Sequence, residues 1–133
     1  MIPDPSTNQN PIRPFVQQQG VFVLDGGLAT ALEARGCDLV DDLWSAKILI
    51  EEPEQIFQVH QDFLRAGADC IATCSYQATL EGFSRRGLSD EEGAKLLAHS
   101  AQLAVEARDA FWEKDDNREG RLQPLVAASI GPY

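Results

Sequence analysis

Three short apolar runs, set apart by long helical stretches, restrict most tightly what this chain can fold into. Val21–Leu24, Ala68–Cys74 and Pro124–Ile130 carry consecutive apolar residues and are bounded by glycine, proline or polar residues. Runs of that length and flanking read as strands buried on both faces. The segments between them span roughly 40 residues or more, too long for hairpins and long enough for helical crossovers. Parallel strands with right-handed connections and helices over the sheet follow. The fold class expected is α/β.

The intervening segments carry helix signals. Leu28 to Arg35 reads as a short helix stopped by Gly36, and Leu43-Trp44-Ser45-Ala46 leads into an apolar helix reaching Ile50. Pro53 suits the first position of the next helix, whose Ile56, His60, Phe63 and Leu64 share one face before Gly67 ends it. Thr79 to Arg86 is expected to be helical and to stop at Gly87. Ser89-Asp90-Glu91-Glu92 forms a capping box that opens the longest helix, running to about Lys114. Leu97, Ala101, Ala104, Arg108 and Phe111 mark its expected buried side, and Asp115 to Gly120 reads as a polar loop.

Met1 to Gln19, with Pro3, Pro5, Pro11 and Pro14 among Asn and Gln, reads as a flexible N-terminal arm (1–19) ahead of a folded region, 20–133. It lacks the apolar core of a secretory signal, and one arginine makes a poor transit peptide. The net charge of −10 disfavours nucleic-acid backbones and anionic membranes as partners. Cys37, Cys70 and Cys74 are too few and too irregular for a disulfide framework. With no apolar run of membrane-spanning length, a cytoplasmic protein is expected.

All three runs end in polar or glycine-rich segments: Asp25-Gly26-Gly27, Thr73-Cys74-Ser75-Tyr76-Gln77 and Ser129-Ile130-Gly131-Pro132-Tyr133. In a parallel sheet these ends lie side by side, where α/β folds place their chemistry. Strand alternation puts Val21, Val23 and Asp25 on one face, and Ile71, Thr73 and Ser75 on another. An acid, two hydroxyls and glycine N–H groups suit a small zwitterion: the carboxylate facing the ammonium, the donors facing the carboxyl group. The alternative is that Thr73 and Ser75 only satisfy strand-end hydrogen bonds.

Leu24-Asp25-Gly26-Gly27-Leu28-Ala29-Thr30, Leu43-Trp44-Ser45-Ala46, Gly67-Ala68-Asp69, Ser75-Tyr76-Gln77-Ala78-Thr79 and Ser129-Ile130-Gly131-Pro132-Tyr133 resemble, in order and spacing, the homocysteine S-methyltransferases. The likeness is closest to enzymes whose methyl donor is S-methylmethionine or S-adenosylmethionine. It implies a (β/α)8 TIM barrel, of which about 250 residues are typical, so the chain is expected to supply the N-terminal portion, about three strands with their crossover helices. The implied reaction is transfer of a methyl group to zinc-bound homocysteine thiolate, giving methionine. By matched motif, Asp25, Gly26 and Gly27 would hold the amino-acid end of homocysteine with Thr73 and Ser75 nearby. Tyr76 and Gln77 would shape the pocket over the thiol or the donor.

In the family the Zn2+ is held by three cysteines, one after a later strand and two in a Gly-Gly-Cys-Cys pair near the C-terminus. Neither segment occurs here, so the 133-residue chain alone is expected to lack zinc and turnover. Cys70 and Cys74 share a strand face and are expected to pack against helices, since two thiols make a poor zinc site. His60 and His99 are expected to pack in the core or at an interface. A different class of reading is a non-catalytic interaction protein that uses the unclosed sheet to associate with itself or with a full-length subunit. A nucleotide-binding domain fits less well, because the spaced glycines of a dinucleotide loop and a Gly-Lys-Ser/Thr loop are missing.

Overall fold

The computed structural model describes residues 10–41, 43–76 and 78–131. Its elements run α1 (Arg13–Gln19), α2 (Leu28–Ala34), α3 (Trp44–Glu51), α4 (Pro53–Arg65), β1 (Cys70–Ala72), α5 (Leu80–Arg85), α6 (Asp90–Trp112), α7 (Asp115–Arg118) and β2 (Leu125–Ala127). β1 and β2 pair in parallel, Cys70 opposite Leu125 and Ala72 opposite Ala127, with α5 to α7 forming the crossover. The class is α/β, as expected.

Local chemistry accounts for most boundaries. Pro53 opens α4, where its missing N–H costs no hydrogen bond. Ser89 Oγ accepts from Glu92 N–H while the Glu92 carboxylate accepts from Ser89 N–H, a complete capping box at the start of α6. Gly36, Gly67 and Gly87 follow α2, α4 and α5 at φ of 88°, 110° and 80°, left-handed values that most side chains disfavour.

Two connected apolar clusters hold the layers together. Leu32, Ile48, Leu49, Ile56, Val59, Cys74 and Leu103 join α2, α3, α4 and α6. Leu64, Ala68, Ile71, Ala104 and Phe111 seat β1 on α4 and α6. Each buried Leu, Ile or Phe contributes about 1.5–3 kcal/mol. Arg121 fastens the second cluster: its guanidinium donates to the carbonyls of Leu64 and Ala68, both at 2.8 Å, and lies 4.9 Å from the Phe111 ring centroid. It thereby satisfies carbonyls at the C-terminal end of α4 and ties the approach to β2 onto the start of β1.

Several expectations need correction. The expected arm is helical over Arg13–Gln19, because Phe15 buries its ring edge-on against Phe22 at 5.1 Å between centroids. Its first nine residues lie outside the described ones. Val21–Leu24 is not a buried strand; Leu24 makes one isolated parallel bridge to Cys70, and Val21 and Leu24 are 59% and 64% exposed. The buried side of α6 is carried by Ser100, Leu103, Ala104, Ala107 and Phe111, whereas Ala101 is exposed and Leu97 only partly covered. Asp115–Arg118, expected as loop, makes one helical turn with acids at its start. On β1, Ile71 packs with Leu64 of α4 and with Ala104 and Phe111 of α6.

Candidate functional site

Two carboxylates set how the Val21–Asp25 segment meets β1. Cys70 N–H donates to the Val23 carbonyl at 3.2 Å, and Asp25 N–H to the Cys70 carbonyl at 2.9 Å, as in a parallel ladder. Beyond this step side chains replace the ladder. Ala72 N–H donates to Asp25 Oδ2 at 3.0 Å, and Val23 N–H donates to Asp69 Oδ2 at 2.9 Å. The same Asp69 oxygen accepts from Gln19 Nε2 at 2.5 Å, which ties α1 to the sheet. By taking the Ala72 amide on its carboxylate, Asp25 ends the pairing, which explains the single bridge. Burial pushes the Asp25 carboxyl above its ordinary value, against the lowering effect of the Ala72 amide. No cation is paired with it among the described residues.

The ends of β1 and β2 are joined by a closed ring of hydrogen bonds. Ser129 N–H donates to Thr73 Oγ1 at 2.9 Å, and Ser75 Oγ donates to the Ser129 carbonyl at 2.8 Å. Ser75 has one hydroxyl proton, so in its 2.6 Å contact with Thr73 the donor is Thr73 Oγ1. Both hydroxyl protons are thus committed inside the ring. Each oxygen keeps a lone pair, so toward a ligand these side chains accept and do not donate. The sequence reading gave them the opposite role, as donors to a carboxyl group.

Gly26 and Gly27 are needed for reasons other than a left-handed turn, since neither has a positive φ. A Cβ on Gly26 would meet Phe63 Cε1 of α4 at 3.0 Å, so the loop after Asp25 lies directly against that ring. Gly27 is the N-cap of α2, with a Cβ position 3.3 Å from Thr30 Oγ1.

A cavity of about 540 Å³ opens beside the second and third run ends. Thr73, Ser75 and Tyr76 line it, with Leu97 of α6 and Ile130 after β2. Asp25, Gly26 and Gly27 do not line it, so the expected site residues fall into two groups that meet at the β1 edge. Tyr76 is half exposed, and Gln77 lies outside the described residues. Sequence reasoning gave no individual role to Asp69 or Ser129. Asp69 sits in the Gly67-Ala68-Asp69 tag, which was a usable signal; the role of Ser129 depends on the β1–β2 register, which no local pattern encodes.

The family model described as homocysteine S-methyltransferase matches residues 22–133. The chain belongs to the homocysteine S-methyltransferase family. It is 56% identical over 124 residues to homocysteine S-methyltransferase YbgG of Bacillus subtilis (strain 168), covering 93% of this chain and 39% of that protein. To the homocysteine S-methyltransferase of Escherichia coli (strain K12) it is 49% identical over 127 residues, 96% of this chain and 40% of the relative. The crystal structure of the homocysteine methyltransferase MmuM from Escherichia coli in its metallated form superposes with a TM-score of 0.85 at 50% identity, covering 93% of this chain and 42% of that one. The chain therefore spans about two fifths of the length of the relatives it matches.

The zinc that the family resemblance implies does not fit the residues described. No group of three or more His, Cys, Asp or Glu among them is placed to hold a metal ion. Cys74 packs with Leu32 and Ile48, its thiol pushed up to about 12 by burial, whereas Cys70 belongs to neither apolar cluster. The two cysteines therefore do not share a helix-facing side, contrary to the expectation. Burial also raises the Cys37 and Cys70 thiols, so none of the three favours the thiolate that zinc requires. His60 is fully buried with neither ring nitrogen hydrogen-bonded, a core histidine as expected. No described helix is long and apolar enough to cross a membrane.

Proposed function

We propose that this chain is the homocysteine-binding N-terminal portion of a (β/α)8-barrel homocysteine S-methyltransferase. The whole enzyme moves a methyl group from S-methylmethionine or S-adenosylmethionine to the thiolate of homocysteine, giving methionine. The observation that carries the reading is the family match over residues 22–133, which spans all three run ends. In-line attack of a substrate thiolate on a sulfonium methyl needs no nucleophile from the protein, only positioning of two partners.

In this reading 20–133 is the homocysteine-binding barrel portion, with α1 packed against it, and the free oxygen of Asp25 takes the substrate ammonium. Its other oxygen is already held by Ala72 N–H, which fixes the carboxylate in place. Thr73 Oγ1 and Ser75 Oγ lie nearby across the β1 edge with lone pairs free to accept, and the Gly26 and Gly27 amides face the carboxyl group. Tyr76 and Gln77 border the thiol or the donor. Zinc belongs to the part of the family enzyme beyond these residues, and the 133-residue chain alone is inactive. The compartment proposed is the cytoplasm.

A chimera tests the proposal: this chain in place of the matching segment of the Escherichia coli relative. Methionine formation from homocysteine and S-methylmethionine is expected. A folded, zinc-loaded chimera that transfers no methyl group would overturn it, as would turnover with stoichiometric zinc in the isolated chain.

A further inference from the structure

The Val21–Asp25 segment has little apolar packing to hold it in place: Val21, Val23 and Leu24 are 59%, 41% and 64% exposed, and a single bridge joins it to β1. Yet the carboxylate assigned to the substrate stands at its end, and a slip of one residue along β1 would turn Asp25 to the opposite face. Something other than burial sets the register. Asp69 does so with three of its own groups. Its Oδ2 accepts from Val23 N–H at 2.9 Å, its N–H donates to the Val23 carbonyl at 2.7 Å, and its carbonyl accepts from Leu125 N–H of β2 at 2.8 Å. Both backbone polar groups of Val23 are thereby held by one residue, one dipeptide step of about 7 Å before Asp25.

Asp69 is itself held from α1. Gln19 Nε2 donates to the same Oδ2 at 2.5 Å and to the Val21 carbonyl at 3.0 Å, so one side-chain amide spans the segment and the carboxylate. α1 is fastened there a second time, by Phe15 buried against Phe22 of the same segment. Asp69 is buried with no cation paired to it among the described residues. A carboxylate buried on neutral donors alone is a poor source of stability, so its presence is better explained by what it places. We infer that Asp69 and Gln19 are positioning residues for homocysteine binding. They fix Val23 and, through the two-residue step to Asp25, the carboxylate that meets the substrate ammonium. α1 is then a working part of the substrate site and not a dispensable arm. The inference rests on the reading of Asp25 as the ammonium ligand.

Homocysteine affinity and turnover of the zinc-loaded chimera test it. Gln19→Leu removes both donated bonds at an exposed position, so the fold is kept. Loss of a hydrogen bond to a charged group is expected to weaken homocysteine affinity about tenfold, with kcat at saturating homocysteine and zinc content unchanged. Asp69→Ala is expected to weaken affinity further, and Asp69→Asn, whose amide oxygen still accepts from Val23 and Gln19, to restore most of it. The pairwise arm separates positioning from general stability. In a chimera already carrying Asp25→Asn, Gln19→Leu is expected to cause no further loss, because it acts through the carboxylate already replaced. Equal losses in both backgrounds would overturn the inference. So would parent-like affinity in Gln19→Leu beside a weakened Asp25→Asn, an outcome that leaves the proposed role of Asp25 standing. Parent-like affinity in Asp25→Asn would remove that role, and the inference with it.

Discussion

The helical layer and the sheet edges use the same kinds of side chain with opposite results. Ile56, Leu64, Ala104 and Phe111 are almost wholly removed from water between α4, α6 and β1, while Val21, Leu24 and Ile130 lie open. The difference is one of partners. The apolar faces of α4 and α6 meet each other and β1, whereas the outer sides of the Val21–Asp25 segment and β2 have no further strand among the described residues. An apolar side chain contributes stability only where something excludes water from it. Stability is therefore concentrated in the α4–α6–β1 layer.

Substitutions across the two regions put that contrast to the test. Phe111→Ala should cost about 3–5 kcal/mol by removing the ring shared with Leu64, Ile71 and Arg121. Ile130→Ala should stay within about 0.5 kcal/mol, read by urea unfolding. Equal effects at the two positions would erase the distinction.

His60 lies in the same buried layer and should mark it by pH. Burial lowers its folded value from 6.5 to about 4. The unfolded chain takes up a proton below about pH 6.5, whereas the folded histidine stays neutral until about pH 4. Its contribution is thus intact above pH 6.5 and is lost as pH falls toward 4, in all about 3 kcal/mol. His60→Leu should remove that slope from a series of urea titrations; an unchanged slope would show that the ring is hydrated.

A smaller effect belongs to the α5–α6 contact. A Cβ on Gly93 would stand 2.8 Å from Cδ2 of the fully buried Phe83. Overpacking of about 1–3 kcal/mol, offset by about 1 kcal/mol of helix propensity, leaves Gly93→Ala modestly destabilising. A more stable variant would mean that the contact yields freely.

The same contrast separates what was legible in the sequence from what was not. Helix stops at Gly36, Gly67 and Gly87 and the Ser89 capping box depend on adjacent residues, and the pattern revealed them. So did the parallel β1–β2 pairing, through the length of its crossover. α1 was hidden because Pro14 and a run of glutamines look disordered until Phe15 finds Phe22. The Val21–Leu24 segment was read as a full strand because no local pattern says that Asp25 will take the next ladder amide onto its own carboxylate. Asp25, Thr73 and Ser75 were visible as polar residues at run ends. The direction of the hydroxyl protons became readable only once Ser129 was placed beside them.

The most direct measurement of the central claim is the homocysteine affinity of the zinc-loaded chimera carrying Asp25→Asn. The amide oxygen still accepts from Ala72 N–H, so the fold is kept while the charge facing the ammonium is lost. An affinity at least tenfold weaker, with zinc content and thermal stability unchanged, is the result expected of a carboxylate that holds the substrate's amino group. Unaltered affinity would show that Asp25 only ends the strand pairing, and the amino-acid site would have to be sought elsewhere.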